Sequence, residues 1–273
     1  LPTLLAYFNM ARSSYYYQKA SLSKPDKYMR YREKIKSLFR ESRGVYGYRR
    51  LHQALKQEGI ILSEKVVRQI MKDENLAVFP AKQKKYRPYL GEISPEVENV
   101  ICRNFHADNP NEKWLTDITE FALPEGKLYL SPIIDCFDGL VVNWTVDRSP
   151  NAALVNAMLD QAIAALPEGQ HPIIHTDRGC HYRWPGWIER MERAGLIRSM
   201  SKKGCSPDNS ACEGFFGRLK NEMFYGRSWS GVSLDSFIQA LNDYIHWYNH
   251  KRIKLSLGGL SPLKYRHKLG FFT

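Results

Sequence analysis

The stretch HPIIHTDRG, residues 171–179, is a short apolar run that closes with an aspartate and a glycine. The run predicts a buried strand, and Gly179 predicts the turn after it. Asp177 is therefore expected where a strand stops, at the rim of a core. Alone the pattern is weak, because aspartate is common in turns, where it accepts hydrogen bonds from backbone amides. Its meaning depends on whether other acids come to meet it.

A second acid, Asp117, lies in WLTDITEF, residues 114–121, which predicts another strand. Alternation places Asp117 on the face that carries Leu115 and Phe121. An acid on such a face calls for a partner or a metal. If this strand neighbours the one that ends at Asp177, the two acids face the same edge of the sheet.

The third acid comes from the predicted helix DNSACEGFFGRLKNE, residues 208–222. At about 100° per residue, Asn209, Glu213 and Lys220 share the flank of the apolar face. Asp208 is predicted to cap this helix. The alternative for Glu213 is an ordinary surface carboxylate near a helix N-terminus.

Three converging carboxylates repel one another and are tolerated when divalent cations neutralise them. Carboxylate oxygens suit Mg²⁺ or Mn²⁺, which keep positions open for water and phosphate. Two such ions can support in-line phosphoryl transfer. In this interpretation Asp177 is a metal ligand, and Gly179 leaves room for the substrate backbone.

The pattern around the acids predicts the fold class. From residue 113 three β-rich runs, separated by turn signals, predict an antiparallel meander. Helices and strands then alternate. The expected architecture is α/β, a mixed sheet with helices on its faces.

The first part of the chain is basic and helical. The formal net charge is +12, and residues 1–90 hold 20 Lys and Arg against seven Asp and Glu, which favours a polyanion such as nucleic acid. Two short predicted helices, the second capped by Ser63, are typical of a helix-turn-helix and equally of any small helical bundle. The candidate DNA contacts are Arg49, Arg50, Lys65, Arg68 and Lys72. Most are expected to touch phosphate, and a plain surface role stays open for each.

Composition excludes several classes of protein. No run of 18 apolar residues exists, so no membrane span is expected. Five cysteines without a CxxC pair argue against a zinc ribbon and indicate a reducing compartment. His246 and His250 are a possible metal pair, although exposed or stacking histidines are the simpler interpretation. The chain begins without methionine or signal peptide, so an upstream segment is possible.

The spacing of the acids resembles a known superfamily. Asp117 and Asp177 enclose 59 residues, Asp177 and Glu213 enclose 35, and Lys220 follows seven residues later. This is similar to the DDE transposases and retroviral integrases, with their RNase H-like catalytic core. The segments WLTDIT, HTDRGCHY, SMSKKGCSPDNSACEGFFGRLKNE and YNHKRIKLSLGGLSP resemble the catalytic chain of the insertion-sequence-3 family. The segments YGYRRLHQALKQEGI and SEKVVRQIMKDENL resemble the helical DNA-binding part that precedes that core.

The resemblance implies a DNA transposase that cuts a 3′ strand end and then transfers that strand. Asp117, Asp177 and Glu213 are implied to hold two Mg²⁺ or Mn²⁺ ions. Further expected DNA contacts are Asn209, Lys220, Lys202 and Lys203. The implied partners are double-stranded DNA (terminal inverted repeats and target) and a second copy, at least a dimer, in the bacterial cytoplasm and nucleoid-associated when DNA is bound. Cys180-His181 and Lys254 depart from residues common among relatives.

The expected organisation has four parts. Residues 1–78 form a helix-turn-helix-like region, 79–112 a basic linker and lead-in, 113–250 the catalytic core and 251–273 a C-terminal tail. Two other functions stay open: a metal-dependent nuclease of the same fold without strand transfer, and a non-catalytic DNA-binding protein such as a repressor.

Overall fold

The computed structural model describes residues 1–22, 26–78, 97–202 and 205–271. The chain forms two compact units, Leu1–Val78 and Phe79–Thr273. Residues 79–96 of the expected linker, and Lys203 among the expected DNA contacts, lie outside the described residues. Within the described part of the chain, no helix combines the length and apolar character needed to cross a bilayer.

The first unit is helical, as its apolar periodicity predicts. Its helices are α1 (Pro2–Tyr7), α2 (Arg12–Leu22), α3 (Met29–Glu41), α4 (Tyr48–Gln57) and α5 (Glu64–Asp73). The last three share a core that contains Ile35, Leu38, Leu51, Ala54, Leu55, Val67, Ile70 and Met71. Ser63 caps α5 as predicted, because its hydroxyl accepts a hydrogen bond from the Val66 amide.

One arginine fastens the first helix of this core to the last. Arg32 of α3 contacts Asp73 at 3.1 Å and Glu74 at 3.2 Å, both at the C-terminal end of α5. These ion pairs are partly exposed, so each contributes little beside the buried apolar faces. Packing therefore sets the relative placement of α3, α4 and α5.

The second unit is built on a mixed sheet. Its strands are β1 (Lys113–Thr116), β2 (Thr119–Leu123), β3 (Gly126–Asp135), β4 (Val141–Asp147), β5 (Ile173–Thr176) and β6 (Ile197–Met200). The sheet order is β2-β3-β1-β5-β6, and β4 pairs with β3. β3 pairs antiparallel with each of β1, β2 and β4. β5 and β6 extend the sheet parallel to β1. The mixed sheet predicted from sequence is present.

The first predicted strand of this sheet is interrupted at Asp117. Thr116 pairs with Ile133 and Thr119 with Leu130, so β1 and β2 lie along β3 in one register. Continuing that register places Asp117 opposite Pro132, which has no amide hydrogen to donate. The Asp117 carboxylate instead accepts the Ile118 amide at 2.7 Å. The prediction that Asp117 lies inside a strand is wrong; it lies in a break between two strands.

Helices cover both faces of the sheet. They are α6 (Ala152–Ala164), α7 (Pro185–Arg193), α8 (Ser210–Leu219) and α9 (Leu234–His250). Trp114 of β1 packs in a core with residues of α6 and α7, and the next residue, Leu115, packs in a core with residues of α8 and α9. Since successive strand residues point to opposite faces, the sheet is the middle layer of three.

The C-terminal segment is anchored in the core through α10 (Pro262–Lys268). Arg266 donates to Asp135 at 2.8 Å and to Asp138 at 2.7 Å. All three side chains are at most 4% exposed. Burial raises the pKa of the Asp135 carboxyl, and Arg266 opposes that rise. Residues 262–268, part of the expected tail, therefore supply the positive charge that pairs with two buried carboxylates of this unit.

We predict that Arg266→Ala destabilises the second unit by about 3–5 kcal/mol, because it leaves two buried carboxylates without their cation. Equilibrium urea unfolding followed by tryptophan fluorescence measures the loss. Arg190→Ala is the matched control, since the Arg190–Asp160 pair is 33% and 51% exposed. That control is expected to cost less than about 1 kcal/mol. Equal losses in the two variants would contradict the prediction.

Candidate functional site

Parallel pairing brings two acids to one edge of the sheet. Leu115 of β1 pairs with His175 of β5. β1 ends at Thr116 and β5 at Thr176, so Asp117 and Asp177 each follow the end of their strand at the same level. The condition set by the sequence, that these two strands be neighbours, is met.

Local hydrogen bonds hold both carboxylates in place. Asp117 accepts the Ile118 amide through Oδ1 and the Asn209 side-chain amide through Oδ2, the latter at 2.9 Å. Asp177 accepts the Gly179 amide at 2.8 Å. A Cβ on Gly179 would lie 2.8 Å from that same Asp177 oxygen. A side chain at position 179 would collide with the Asp177 carboxylate, so Gly179 makes room for that carboxylate.

All three candidate acids have a raised pKa. Burial raises the pKa of Asp117 to about 8, and repulsion from Asp177 and Glu213 adds to the rise. Burial also raises the pKa of Asp177, against the Gly179 amide and the positive potential of His181 and Arg183. For Glu213 the causes are burial and then Asp177. Burial thus disfavours the charged form of all three carboxylates, and the charge of Asp177 adds to the rise in pKa at Asp117 and Glu213.

A groove opens at the two aspartates. Its volume is about 290 Å³. Its lining residues are Asp117, Ile118, Glu120, Tyr129, Pro150, Asp177, Gly179, Cys180, His181 and Tyr182. Cys180 and His181, two of the residues that depart from those common among relatives, therefore lie beside the acids.

Glu213 lies in the first turn of α8 with an exposed side chain, outside the lining of the groove. Within residues 1–22, 26–78, 97–202 and 205–271, no three His, Cys, Asp or Glu side chains form a ready metal-binding group. His246 and His250 belong to no such group among these residues. The His246 ring packs against the Trp144 ring, with 5.1 Å between the ring centres. The structure thus brings Asp117 and Asp177 together at one groove. Glu213 lies outside the lining of that groove, and its charge contributes to the raised pKa of Asp117.

The prediction that Asp208 caps α8 is wrong. The N-cap is Asn209, and its side chain makes no capping bond. Asp208 is 2% exposed and accepts hydrogen bonds from Asn99, Arg103 and the Lys202 amide. Its carboxylate ties the segment that precedes β1 to the segment that precedes α8.

The other predicted contacts of this unit differ in placement. Asn209 is 6% exposed and bonded to Asp117, so its amide faces the acids. The Lys220 ammonium lies 5.3 Å from the centre of the Phe121 ring. The Lys202 side chain is exposed.

The predicted contacts of the helical unit gather on one surface. Lys65, Arg68 and Lys72 project from α5 on the side opposite its buried residues and line one groove with Gln69. Arg68 also lies 5.7 Å from the Tyr48 ring, which Arg49 flanks at 5.6 Å.

Arg50 is turned inward, unlike the other four. It donates to the Val45 carbonyl at 3.4 Å and lies 5.8 Å from the Tyr46 ring. Part of its surface is consumed by these contacts, so it is the weakest of the five candidates.

Sequence reasoning missed His175, which is fully buried two residues before Asp177. Its ring contacts the Ser199 hydroxyl through Nδ1, and the Ser201 hydroxyl and Asp208 carbonyl through Nε2. A histidine inside an apolar run is the only signal in the sequence, and it does not tell which partners will surround the ring.

Comparison with known proteins gives consistent matches along the chain. Residues 107–206 and 213–269 match the Integrase core domain, and residues 29–85 match the HTH-like domain. The chain is 54% identical over its full length to the probable transposase for insertion sequence element IS1353 of Shigella flexneri, and it spans 53% of that protein. It is 41% identical over 98% of its length to the putative transposase InsK for insertion sequence element IS150 of Escherichia coli (strain K12), of which it covers 94%.

A solved structure shows the same fold. The simian T-cell lymphotropic virus intasome, in complex with PP2A regulatory subunit B56 gamma, aligns with a TM-score of 0.51 at 18% identity. The alignment covers 81% of this chain and 74% of that chain. The integrase-type core expected from the sequence is confirmed as a fold.

The raised pKa of Asp117 predicts how stability varies with pH. Because this pKa rises from 3.8 to about 8, the folded protein binds the proton more tightly than the unfolded chain does. Stability without metal therefore falls as pH rises from 3.8 towards about 8.

We expect Asp117→Asn in EDTA to weaken that fall and to raise the melting temperature above wild type at alkaline pH. Differential scanning fluorimetry across this pH range measures it, with the exposed Asp160→Asn as the control. If Asp117→Asn kept the wild-type dependence of melting temperature on pH, the raised pKa could not be assigned to Asp117.

Proposed function

The chain belongs to the insertion-sequence transposases that carry an integrase core domain, and on this premise we propose that it is a DNA transposase. It cuts a 3′ strand end of its element and joins the freed 3′-hydroxyl to another phosphodiester. The observation that carries the proposal is the pair Asp117 and Asp177 at one sheet edge, beside an open groove. Their position suits a reaction on an extended substrate that enters from solvent.

The residues at this edge fit divalent cations. Asp117, Asp177 and Glu213 supply hard oxygen donors. Burial raises the pKa of all three, and the charge of Asp177 adds to the rise at Asp117 and Glu213, so a bound cation would stabilise their charged forms. We propose these three as the ligands of two Mg²⁺ or Mn²⁺ ions. When bound, such ions supply activation of an attacking oxygen and stabilisation of a leaving one.

The protein's own contribution is placement. The Ile118 and Gly179 amides fix one oxygen each of Asp117 and Asp177. The exposed carboxylate of Glu213 lies on the first turn of α8, from which it completes the set. Lys220, Lys202 and Lys203 are proposed to contact DNA phosphates near the cut.

The helical unit is proposed to bind double-stranded DNA through α5. Lys65, Arg68 and Lys72 form a basic stripe, and Arg49 extends it across Tyr48. Long cations at one surface of a helix neutralise phosphates, which gives affinity without sequence choice. The terminal repeats of the element and the target are the proposed DNA partners.

The assembly is proposed to be at least a dimer, because strand transfer needs two element ends held together. The chain spans 53% of its relative from Shigella flexneri. The proposed location is the bacterial cytoplasm, on the nucleoid when DNA is bound.

The first experiment uses labelled element ends with Mg²⁺ or Mn²⁺. Wild type is expected to yield strand-transfer products. Cleavage products alone indicate a nuclease, and a shifted band without chemistry indicates a non-catalytic DNA-binding protein. Asp177→Asn is expected to keep DNA binding and to lose cleavage by at least about 100-fold, because metal-site ligands act directly on the reaction. Cleavage retained in this variant removes Asp177 from the site.

The second experiment measures DNA affinity against salt concentration. Each of Lys65→Ala and Lys72→Ala is expected to lower the slope of log affinity against log salt by about 1. Lys34→Ala in the same unit is the control, because Lys34 already pairs with Glu58 at 2.6 Å. An unchanged slope in the α5 variants would exclude this helix from the interface.

A further inference from the structure

Asn209 has one bonded and one unbonded side-chain atom beside the acids. Its amide nitrogen donates to Asp117 Oδ2 at 2.9 Å. Its amide oxygen is buried and has no hydrogen-bond partner within the described residues. The amide therefore holds one acid and presents a spare acceptor in the same place. Such an arrangement is expected of a residue that orients a metal ligand.

The backbone carbonyl of Asp208, in the peptide bond that leads into Asn209, is held by a histidine. The Asp208 carbonyl can only accept, so His175 Nε2, 3.0 Å away, must carry a proton. Its other ring nitrogen, Nδ1, lies 2.9 Å from the Ser199 hydroxyl oxygen and accepts the Ser199 proton in this tautomer.

The Ser199 network closes without an unsatisfied group. Ser199 donates to His175 and accepts the Val100 amide at 3.0 Å. Ser201 donates to the Thr176 carbonyl, so the one proton on His175 Nε2 is shared between the Asp208 carbonyl at 3.0 Å and the Ser201 oxygen at 3.2 Å. These contacts fix the tautomer of His175 and bind β5, which precedes Asp177, to the turn that carries Asn209. Asp117 is thus linked to the strand that precedes Asp177 through Asn209, the Asp208 carbonyl and His175.

We propose that Asn209 is a positioning residue for the Asp117 carboxylate in divalent-cation binding, and that His175 holds the Asp208–Asn209 turn that presents it. This role replaces the DNA contact expected for Asn209 from sequence. The inference rests on the proposed function only in taking Asp117 as a metal ligand. It assigns no direct contact with DNA to either residue.

The test measures Mn²⁺ binding to the full chain without DNA. The electron paramagnetic resonance signal of free Mn²⁺ monitors the binding. Asn209→Ala is expected to weaken Mn²⁺ binding by about 10- to 100-fold, the range for residues that orient metal ligands. Affinity for DNA in EDTA is expected to stay at the wild-type value. Asp117→Asn serves as the positive control for loss of the metal site.

Asn249→Ala is the matched control for loss of a buried amide. Asn249 is 7% exposed, bonds the Val141 backbone and is not placed at the acids. It is expected to lower thermal stability and to leave Mn²⁺ affinity unchanged. An equal loss of Mn²⁺ affinity in Asn249→Ala and Asn209→Ala overturns the positioning role.

A pair of variants tests His175. Glutamine places an amide donor near the position of Nε2, whereas asparagine places one near Nδ1. His175→Gln is expected to retain more Mn²⁺ affinity than His175→Asn, since only glutamine can still donate to the Asp208 carbonyl. Equal losses in both variants overturn the part assigned to His175.

The outcomes separate this inference from the proposed function. A wild-type protein that binds Mn²⁺ but yields no cleavage contradicts the proposed function and leaves the Mn²⁺ comparison decisive for Asn209. A wild-type protein that cleaves DNA, with equal Mn²⁺ affinity in wild type and Asn209→Ala, overturns the inference alone. Absence of Mn²⁺ binding by wild type overturns it as well.

Discussion

The parallel pairing of β1 with β5 forces two carboxylates to share one sheet edge, and the surrounding structure answers that constraint. Burial raises the pKa of both Asp117 and Asp177, and repulsion from Asp177 and Glu213 adds to the rise at Asp117. Backbone amides of Ile118 and Gly179 and the side chain of Asn209 offset part of the cost. The remainder is what a divalent cation would relieve.

A group of polar side chains lies deep in this unit, behind the two aspartates. His175, Ser199, Ser201 and Asp208 are all nearly inaccessible to solvent, yet each is hydrogen-bonded. A half-satisfied network at such depth would be costly, whereas a closed one is rigid and specifies one geometry. The rigid part of the site is thus β5 and the turn before α8, while Glu213 keeps an exposed side chain.

Sequence periodicity is sufficient for the strands and for the helices on the faces of the sheet, because these depend on local spacing. It predicts the common edge of Asp117 and Asp177 only on the condition that β1 and β5 are neighbours, which the structure meets. It was not sufficient where the partner lies far along the chain. Asp208 looked like a cap, but its partner Arg103 lies 105 residues away. The break at Asp117 depends on which residue β3 places opposite it. The resemblance implies a DNA contact for Asn209, and its helical angle does not reveal that Asp117 is within hydrogen-bonding distance.

The clamp between Arg266 and the pair Asp135 and Asp138 joins residues 131 and 128 positions apart. During synthesis the strand that carries Asp135 leaves the ribosome long before its cation does. Until α10 emerges, the nascent core holds two carboxylates that can be buried only at a high cost. Translation that stops before codon 266 would therefore produce a chain that must bury Asp135 and Asp138 without their cation, so its sheet is less stable than that of a chain that includes α10.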